Sequence, residues 1–285
     1  MSSITTDQGS LHYEVCGKGP PVILLHGYQG SWGLWQATME ALGKAYRTYA
    51  VDFWGFGESG ARRSSYAIED FVGLVDQFMS QMGIGQAPLV GHSMGGSVCL
   101  LVAARKPERV QKAIAIAAPV VGSSLRFFPR IFGVPAVARL TFRNLRMYRW
   151  AYRLLAATYS RDPNWADMMD RDVSHVTLEA FFASIASLRR ADLRPLLPRI
   201  TAPVLGMYGA RDNVVDPRQW EPLQAGIPGA RMEQFFDSGH FLMLDEPSHF
   251  MRALKAFLDE PLPRRSGRRL PVGSAARNTK TIWMR

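Results

Sequence analysis

Residues Gly91-His92-Ser93-Met94-Gly95 form a G-x-S-x-G pentapeptide between a short apolar run, Ala87-Pro88-Leu89-Val90, and an Ala/Val/Leu-rich stretch of helical character. This segment constrains the fold more than any other, because strand, sharp turn and helix in that order leave the serine few conformations. A residue on such a turn takes strained backbone angles, and its neighbours two before and two after must be glycine or very small. The turn lifts the hydroxyl above the sheet and opens into a helix N-terminus, which favours negative charge. Ser93 is therefore read as a nucleophile.

The surrounding pattern supplies the sheet. Val22-Ile23-Leu24-Leu25, Thr48-Tyr49-Ala50-Val51, Pro88-Leu89-Val90, Ala113-Ile114-Ala115-Ile116 and Val204-Leu205-Gly206-Met207-Tyr208 are continuous apolar runs, as found in strands buried on both faces. Leu11 to Val15 alternates as an edge strand does, and helical patterns run from Ile68 to Met82 and from Ser97 to Arg105. Strands alternating with helices predict an α/β fold, a mostly parallel sheet covered on both faces, whose ligand lies beyond the carboxyl ends of the strands. No internal repeat is visible. The alternation stops at about Val121 and resumes at about Thr201. Residues 1–120 and 201–260 are thus expected to form the core, 121–200 a helical cap, and 261–285 a basic, disordered tail.

With 285 residues, 47% of them hydrophobic, the chain suffices for one large α/β domain with an insertion. The opening MSSITTDQGS lacks the basic patch and apolar stretch of a secretory signal, and no apolar run approaches the ~18 residues of a spanning helix. Cys16 and Cys99 lie far apart, so neither a disulfide framework nor a thiolate metal site is indicated, and a cytoplasmic location is expected. The net charge of +10 is unevenly spread: residues 1–119 carry 9 basic and 9 acidic side chains, 120–200 carry 13 and 6, 201–260 carry 5 and 9, and 261–285 carry 7 and 0. The excess belongs to the middle segment and the tail. Without a recognisable reading module, these arginines do not make a nucleic-acid-binding protein.

A serine hydroxyl needs a base, and the base needs a carboxylate to fix its tautomer. His240, in Asp237-Ser238-Gly239-His240 after the strand-like Arg231 to Phe236, is the candidate base; His175 in the cap and His249 in a later helical run fit solvated or capping roles. The acid is Asp212 or Asp216, both after the strand ending at Tyr208, with Asp212 preferred because it sits nearer the strand's end. Asp52, also at a strand's end, reads as a carboxylate that binds its own loop backbone. Acyl transfer further needs donors for an oxyanion. The backbone N–H of Met94 is one candidate and that of Tyr28, in His26-Gly27-Tyr28, is the other, although His26-Gly27 fits equally a turn needing a flexible residue. His92 is read as a packing or hydrogen-bonding residue.

Leu24-Leu25-His26-Gly27, Asp52 through Ser59, Gly91 through Gly96, Gly209 through Asp212 and Gly239-His240 together resemble the α/β-hydrolase superfamily in order and spacing, over residues of about 10–260. The resemblance implies an eight-stranded sheet, a helical cap after the sixth strand, a Ser93–Asp212–His240 triad and no cofactor. It does not imply a substrate. Haloalkane dehalogenases and epoxide hydrolases of the family would carry Asp in place of Ser93, and its carbon–carbon bond hydrolases often have Asn where His92 stands. A carboxylic ester of an apolar or amphiphilic small molecule is the expected substrate. A C–C hydrolase or lyase acting on an acidic substrate and a ligand-sensing protein are the alternatives.

The cap is the second informative feature. On one continuous helix at about 100° per residue, Arg139, Arg143, Arg146, Arg149 and Arg153 fall within an arc of about 120°. The plain reading places these arginines in water and the apolar face on the core. A second reading has the helix meet an anionic membrane surface, helped by Phe127, Phe128, Phe132, Trp150 and the basic tail. In a third, one arginine turns inward to hold a substrate carboxylate.

Overall fold

The computed structural model of the protein describes residues 2–60, 65–126 and 134–262. Eight strands form one sheet in the order β1-β2-β4-β3-β5-β6-β7-β8. They are β1 (Ser2–Thr6), β2 (Gly9–Cys16), β3 (Pro21–Leu25), β4 (Arg47–Val51), β5 (Ala87–His92), β6 (Val110–Ile116), β7 (Val204–Gly209) and β8 (Arg231–Phe235). β2 runs antiparallel to both of its neighbours and every other pairing is parallel.

The apolar runs work because successive side chains of a strand face opposite ways. Ile23, Leu25, Leu89, Ala113 and Ala115 join one hydrophobic cluster, while Val22, Leu24, Val90, Ile114 and Ile116 join the other. The first cluster is closed by α2 (Asp70–Gln81) and α3 (Met94–Arg105). The second is closed by α1 (Gln36–Leu42) and the last described helix, Pro247–Asp259. That last helix buries Phe250, Leu254, Phe257 and Leu258, one stripe at helical spacing, and each such side chain contributes about 1.5–3 kcal/mol.

The alternating segment Leu11 to Val15 is not the edge. β2 is paired on both sides, and the edge is β1, whose sequence SSITT carries little apolar signal. Its pairing comes from the tight connection through Asp7 and Gln8 to Gly9, which folds β1 back in register from Thr6↔Gly9 to Ser2↔Tyr13.

Between β6 and β7 lie α4 (Pro135–Arg143), α5 (Leu145–Tyr159), α6 (Trp165–Val173) and α7 (Leu178–Arg190). The chain enters and leaves this insertion at one place: Gly122 N–H donates to Ala191 O (2.8 Å) and Leu193 N–H to Val120 O (2.9 Å). The single basic helix expected across 139–153 is instead two helices, broken at Asn144 (φ −122°, ψ 42°), whose side chain donates to Leu140 O at 3.0 Å. An Asn side chain competes with the backbone for helical hydrogen bonds, which is the physical reason for the break. Arg149 pairs with Asp170, and Arg153 with Asp167 (2.8 Å) and Asp170 (3.3 Å). Arg139, Arg143 and Arg146 stay exposed with no acidic partner among the described residues. Phe127, Phe128, Phe132 and the tail from residue 263 lie outside the described residues. None of the described helices is long and apolar enough to cross a membrane.

Candidate active site

Ser93 joins β5 to α3 with φ 53° and ψ −118°. Its N–H donates to Ile116 O (2.7 Å), and its carbonyl accepts from Gly96 and Ser97, so the strained residue is held from both sides. The glycines around it are required by space. A Cβ at Gly91 would lie 2.1 Å from Gly95 O, and one at Gly95 would lie 2.4 Å from the carbonyl oxygens of Leu25 and His26. Among the described non-glycine residues, Gln29 (φ 63°) and Ala117 (φ 47°) share this left-handed geometry with Ser93. These three residues follow the carboxyl ends of β3, β5 and β6, where strain of roughly 1–3 kcal/mol each marks a functional edge of the sheet.

Asp212 follows β7 and His240 follows β8, and the fold brings them together: His240 Nδ1 lies 2.7 Å from Asp212 Oδ2, both side chains buried. The other carboxylate oxygen accepts from the N–H groups of Val214 (2.8 Å) and Val215 (2.9 Å). A carboxylate oxygen can only accept, so this contact orients the ring with a proton on Nδ1. Asp216 takes no part in this pair. It caps the turn at Pro217–Gln219 and binds Arg218 at 2.8 Å, and that guanidinium holds its carboxyl down to about 2. Ser93 and His240 line one cavity. His92 donates from Nε2 to His240 O (2.9 Å), and its burial holds the ring well below the usual imidazole range, hence neutral. It steadies the backbone carrying His240.

The loop after β3 is held by His26. Its Nδ1 lies 2.7 Å from Gly27 O and its Nε2 accepts from Phe53 N–H at 2.9 Å, so the donor is Nδ1–H and the ring is neutral. Gly30 N–H closes the turn on Gly27 O (3.1 Å), and Tyr28 OH donates to Phe181 O on α7 (2.9 Å). Tyr28 forms part of the cavity wall. Met94 opens α3, where the first N–H groups have no intrahelical acceptor. Tyr28 thus lines the same cavity as Ser93, and Met94 directly follows Ser93 at the start of α3.

Burial lowers the His26 pKa to about 4 from its ordinary 6.5. The unfolded chain takes up a proton first, so stability present above about pH 6.5 is lost as the pH falls to about 4, by about 3 kcal/mol at most. Burial raises Asp52 to about 7, which acts in the opposite direction. The difference in urea midpoint between the wild type and His26→Asn isolates the histidine. We expect that difference to shrink steadily between pH 6.5 and 4; a constant difference would show that His26 binds its proton equally in both states.

Asp52 is a loop clasp: Oδ1 accepts from Trp32 N–H (2.6 Å) and Oδ2 from Glu58 N–H (2.9 Å). His249 binds Glu233 (2.7 Å) and His175 binds Arg171 O (3.0 Å), each outside the cavity wall.

The cavity has a volume of about 70 Å³, and the insertion supplies much of its wall through Leu125, Ile185, Leu188 and α6. On α6 the lining residues are Trp165, Met168, Met169 and Asp172, spaced i, i+3, i+4, i+7, so one helical stripe faces the site. No arginine or lysine among the described residues lines it. Sequence reasoning passed over Asp172, Gln29 and Tyr148, whose hydroxyl is 2.8 Å from Gln29 Nε2. The stripe on α6 was a readable signal for the first; the other two meet only through tertiary packing.

A family model of the alpha/beta hydrolase fold matches residues 20–247, and the chain belongs to that family. It is accordingly a hydrolase, with the eight-stranded, mostly parallel sheet of the fold. Among individual proteins, it is 26% identical over 272 residues to an uncharacterized protein of Mycobacterium tuberculosis, covering 88% of this chain and 79% of that one. It is 27% identical over 261 residues to the pimeloyl-(acyl-carrier protein) methyl ester esterase of Vibrio vulnificus, covering 87% and 97%. An esterase structure from Exiguobacterium antarcticum superposes with a TM-score of 0.81 at 24% identity, covering 91% of this chain and 99% of that one. That likeness establishes the fold alone.

Proposed function

We propose that this hydrolase cleaves a carboxylic ester of an apolar or amphiphilic small molecule through an acyl-enzyme. The observation that carries the reading is the 2.7 Å contact between His240 and Asp212 beside a cavity that Ser93 enters from a strained turn. In this mechanism His240 Nε2 removes the Ser93 proton as Oγ attacks the ester carbonyl. The N–H groups of Tyr28 and Met94 receive the oxyanion, and the imidazolium, steadied by Asp212, protonates the departing alcohol. Water activated by His240 then frees the acid. Every step uses the chain's own groups and water, with no cofactor. The insertion, residues 121–200, acts as the cap over the site, and the location is cytoplasmic, in keeping with two free cysteines.

The named activity of the Vibrio vulnificus relative, on a methyl ester, supports the ester reading. A C–C hydrolase or lyase binding an acidic substrate is disfavoured by a described cavity wall without a cation. A fluorophosphonate probe tests the proposal: one equivalent is expected on the Ser93 peptide, with loss of p-nitrophenyl ester turnover. Labelling elsewhere with full activity retained would overturn it.

We propose further that the cap meets anionic lipid. Leu140, Met147, Trp150 and Leu154 are each at least 60% exposed on α4 and α5, unusual for residues of this size, and Arg139, Arg143 and Arg146 accompany them without acidic partners among the described residues. Co-sedimentation with vesicles containing phosphatidylserine should fall with salt and with Trp150→Ser combined with Leu154→Ser. Binding that ignores both changes would refute this surface.

A further inference from the structure

Asp172 is a carboxyl in an otherwise mostly apolar wall. It lies on the last turn of α6, 1% exposed, on the same stripe as Trp165, Met168 and Met169. Oδ1 accepts from Ser31 Oγ at 2.9 Å, with Arg171 Nε at 3.4 Å, whereas Oδ2 is buried with no hydrogen-bond partner among the described residues. Leaving such an atom unpaired inside a protein costs about 1–3 kcal/mol, so a carboxyl retained there calls for a partner that arrives with a ligand. Burial also pushes the Asp172 carboxyl above its usual range, as expected where solvation is poor.

We infer that Asp172 is the specificity determinant of the cavity and receives a hydrogen-bond donor, a hydroxyl or an ammonium, carried by the substrate apart from its scissile carbonyl. This rests on the ester-hydrolase reading and deepens it. A carboxylate-bearing substrate is the wrong class for this wall: it would meet Asp172 and, among the described lining residues, no cation. The preferred substrate is instead an ester with an apolar body and one donor. A donor bond to a buried carboxyl discriminates strongly because the analogue lacking it leaves the carboxyl unpaired.

The test compares p-nitrophenyl esters of 6-hydroxyhexanoic, 6-aminohexanoic, heptanoic and adipic acids, together with hexanoate esters of alcohols bearing the same four end groups. In the wild type, kcat/KM for a hydroxyl or ammonium ester should exceed that of its methyl counterpart by about tenfold or more, with the carboxylate ester poorest. In Asp172→Asn, which keeps an acceptor for Ser31, any ammonium preference should collapse; in Asp172→Leu the hydroxyl preference should collapse as well. Fluorophosphonate labelling of Ser93 verifies that each variant is folded, and the wild-type panel needs no variant at all. Equal turnover of the donor and methyl esters, or a preference that survives both substitutions, overturns the role of Asp172 while leaving the hydrolase reading intact. Absence of turnover with every ester, together with absence of labelling at Ser93, would defeat both.

Discussion

Ser93→Ala should lower kcat for p-nitrophenyl ester hydrolysis by about 10⁶ and abolish fluorophosphonate labelling, while the melting temperature changes little. The size of the effect follows from the unit character of the machinery: without Oγ, His240 and Asp212 have no proton to move. The change is small in volume, and Ser93 is anchored through its backbone N–H to Ile116 and its carbonyl to Gly96 and Ser97, none of which alanine removes. Alanine at φ 53° carries a backbone strain that serine already bears. Retained labelling of the variant would remove Ser93 from the chemistry.

The second large effect separates two neighbouring carboxylates. Asp212→Asn should reduce kcat by about 10⁴, because an amide can present its N–H to Nδ1 and so favour the wrong tautomer, with the proton on Nε2 facing the nucleophile. Asp216→Asn should leave kcat within about twofold, since its carboxyl is engaged with Arg218 and the turn. A pH-rate profile adds to the comparison: the Asp212→Asn enzyme should regain part of its rate at high pH, where hydroxide can take the nucleophile's proton in place of the wrongly oriented imidazole. Equal damage from both substitutions would mean that the loop after β7, and not the hydrogen bond to His240, was the quantity altered.

Much of the architecture was legible because it depends on local regularities. The buried strands from β3 to β7 announce themselves as apolar runs, since a parallel strand with helices on both sides has no wet face. The elbow was legible because the approach of Leu25, His26 and Gly95 carbonyls leaves no room for side chains at its two glycines. β1 was not legible, because its pairing comes from a reversal at Gly9 and not from apolar content. The arginine stripe failed for a related reason. Periodicity assumed a continuous helix, whereas Asn144 ends one helix and begins the next, and Asp170 then captures Arg149 and Arg153.

The candidates for nucleophile, base and loop donors could be picked from the sequence itself, since each lies just beyond a recognisable strand, where an α/β sheet exposes its residues. Choosing between Asp212 and Asp216 was different: four residues apart, they differ in whether His240, 28 residues further on, arrives beside them. The character of the cavity likewise belongs to the tertiary structure, because its wall is assembled from α5, α6, α7 and the segments that follow β3, β5, β6, β7 and β8. Only their packing brings Asp172 into the cavity wall, with no arginine or lysine among the described lining residues. Short-range order is written in spacing along the chain. Selectivity arises from the meeting of distant segments, which spacing does not encode.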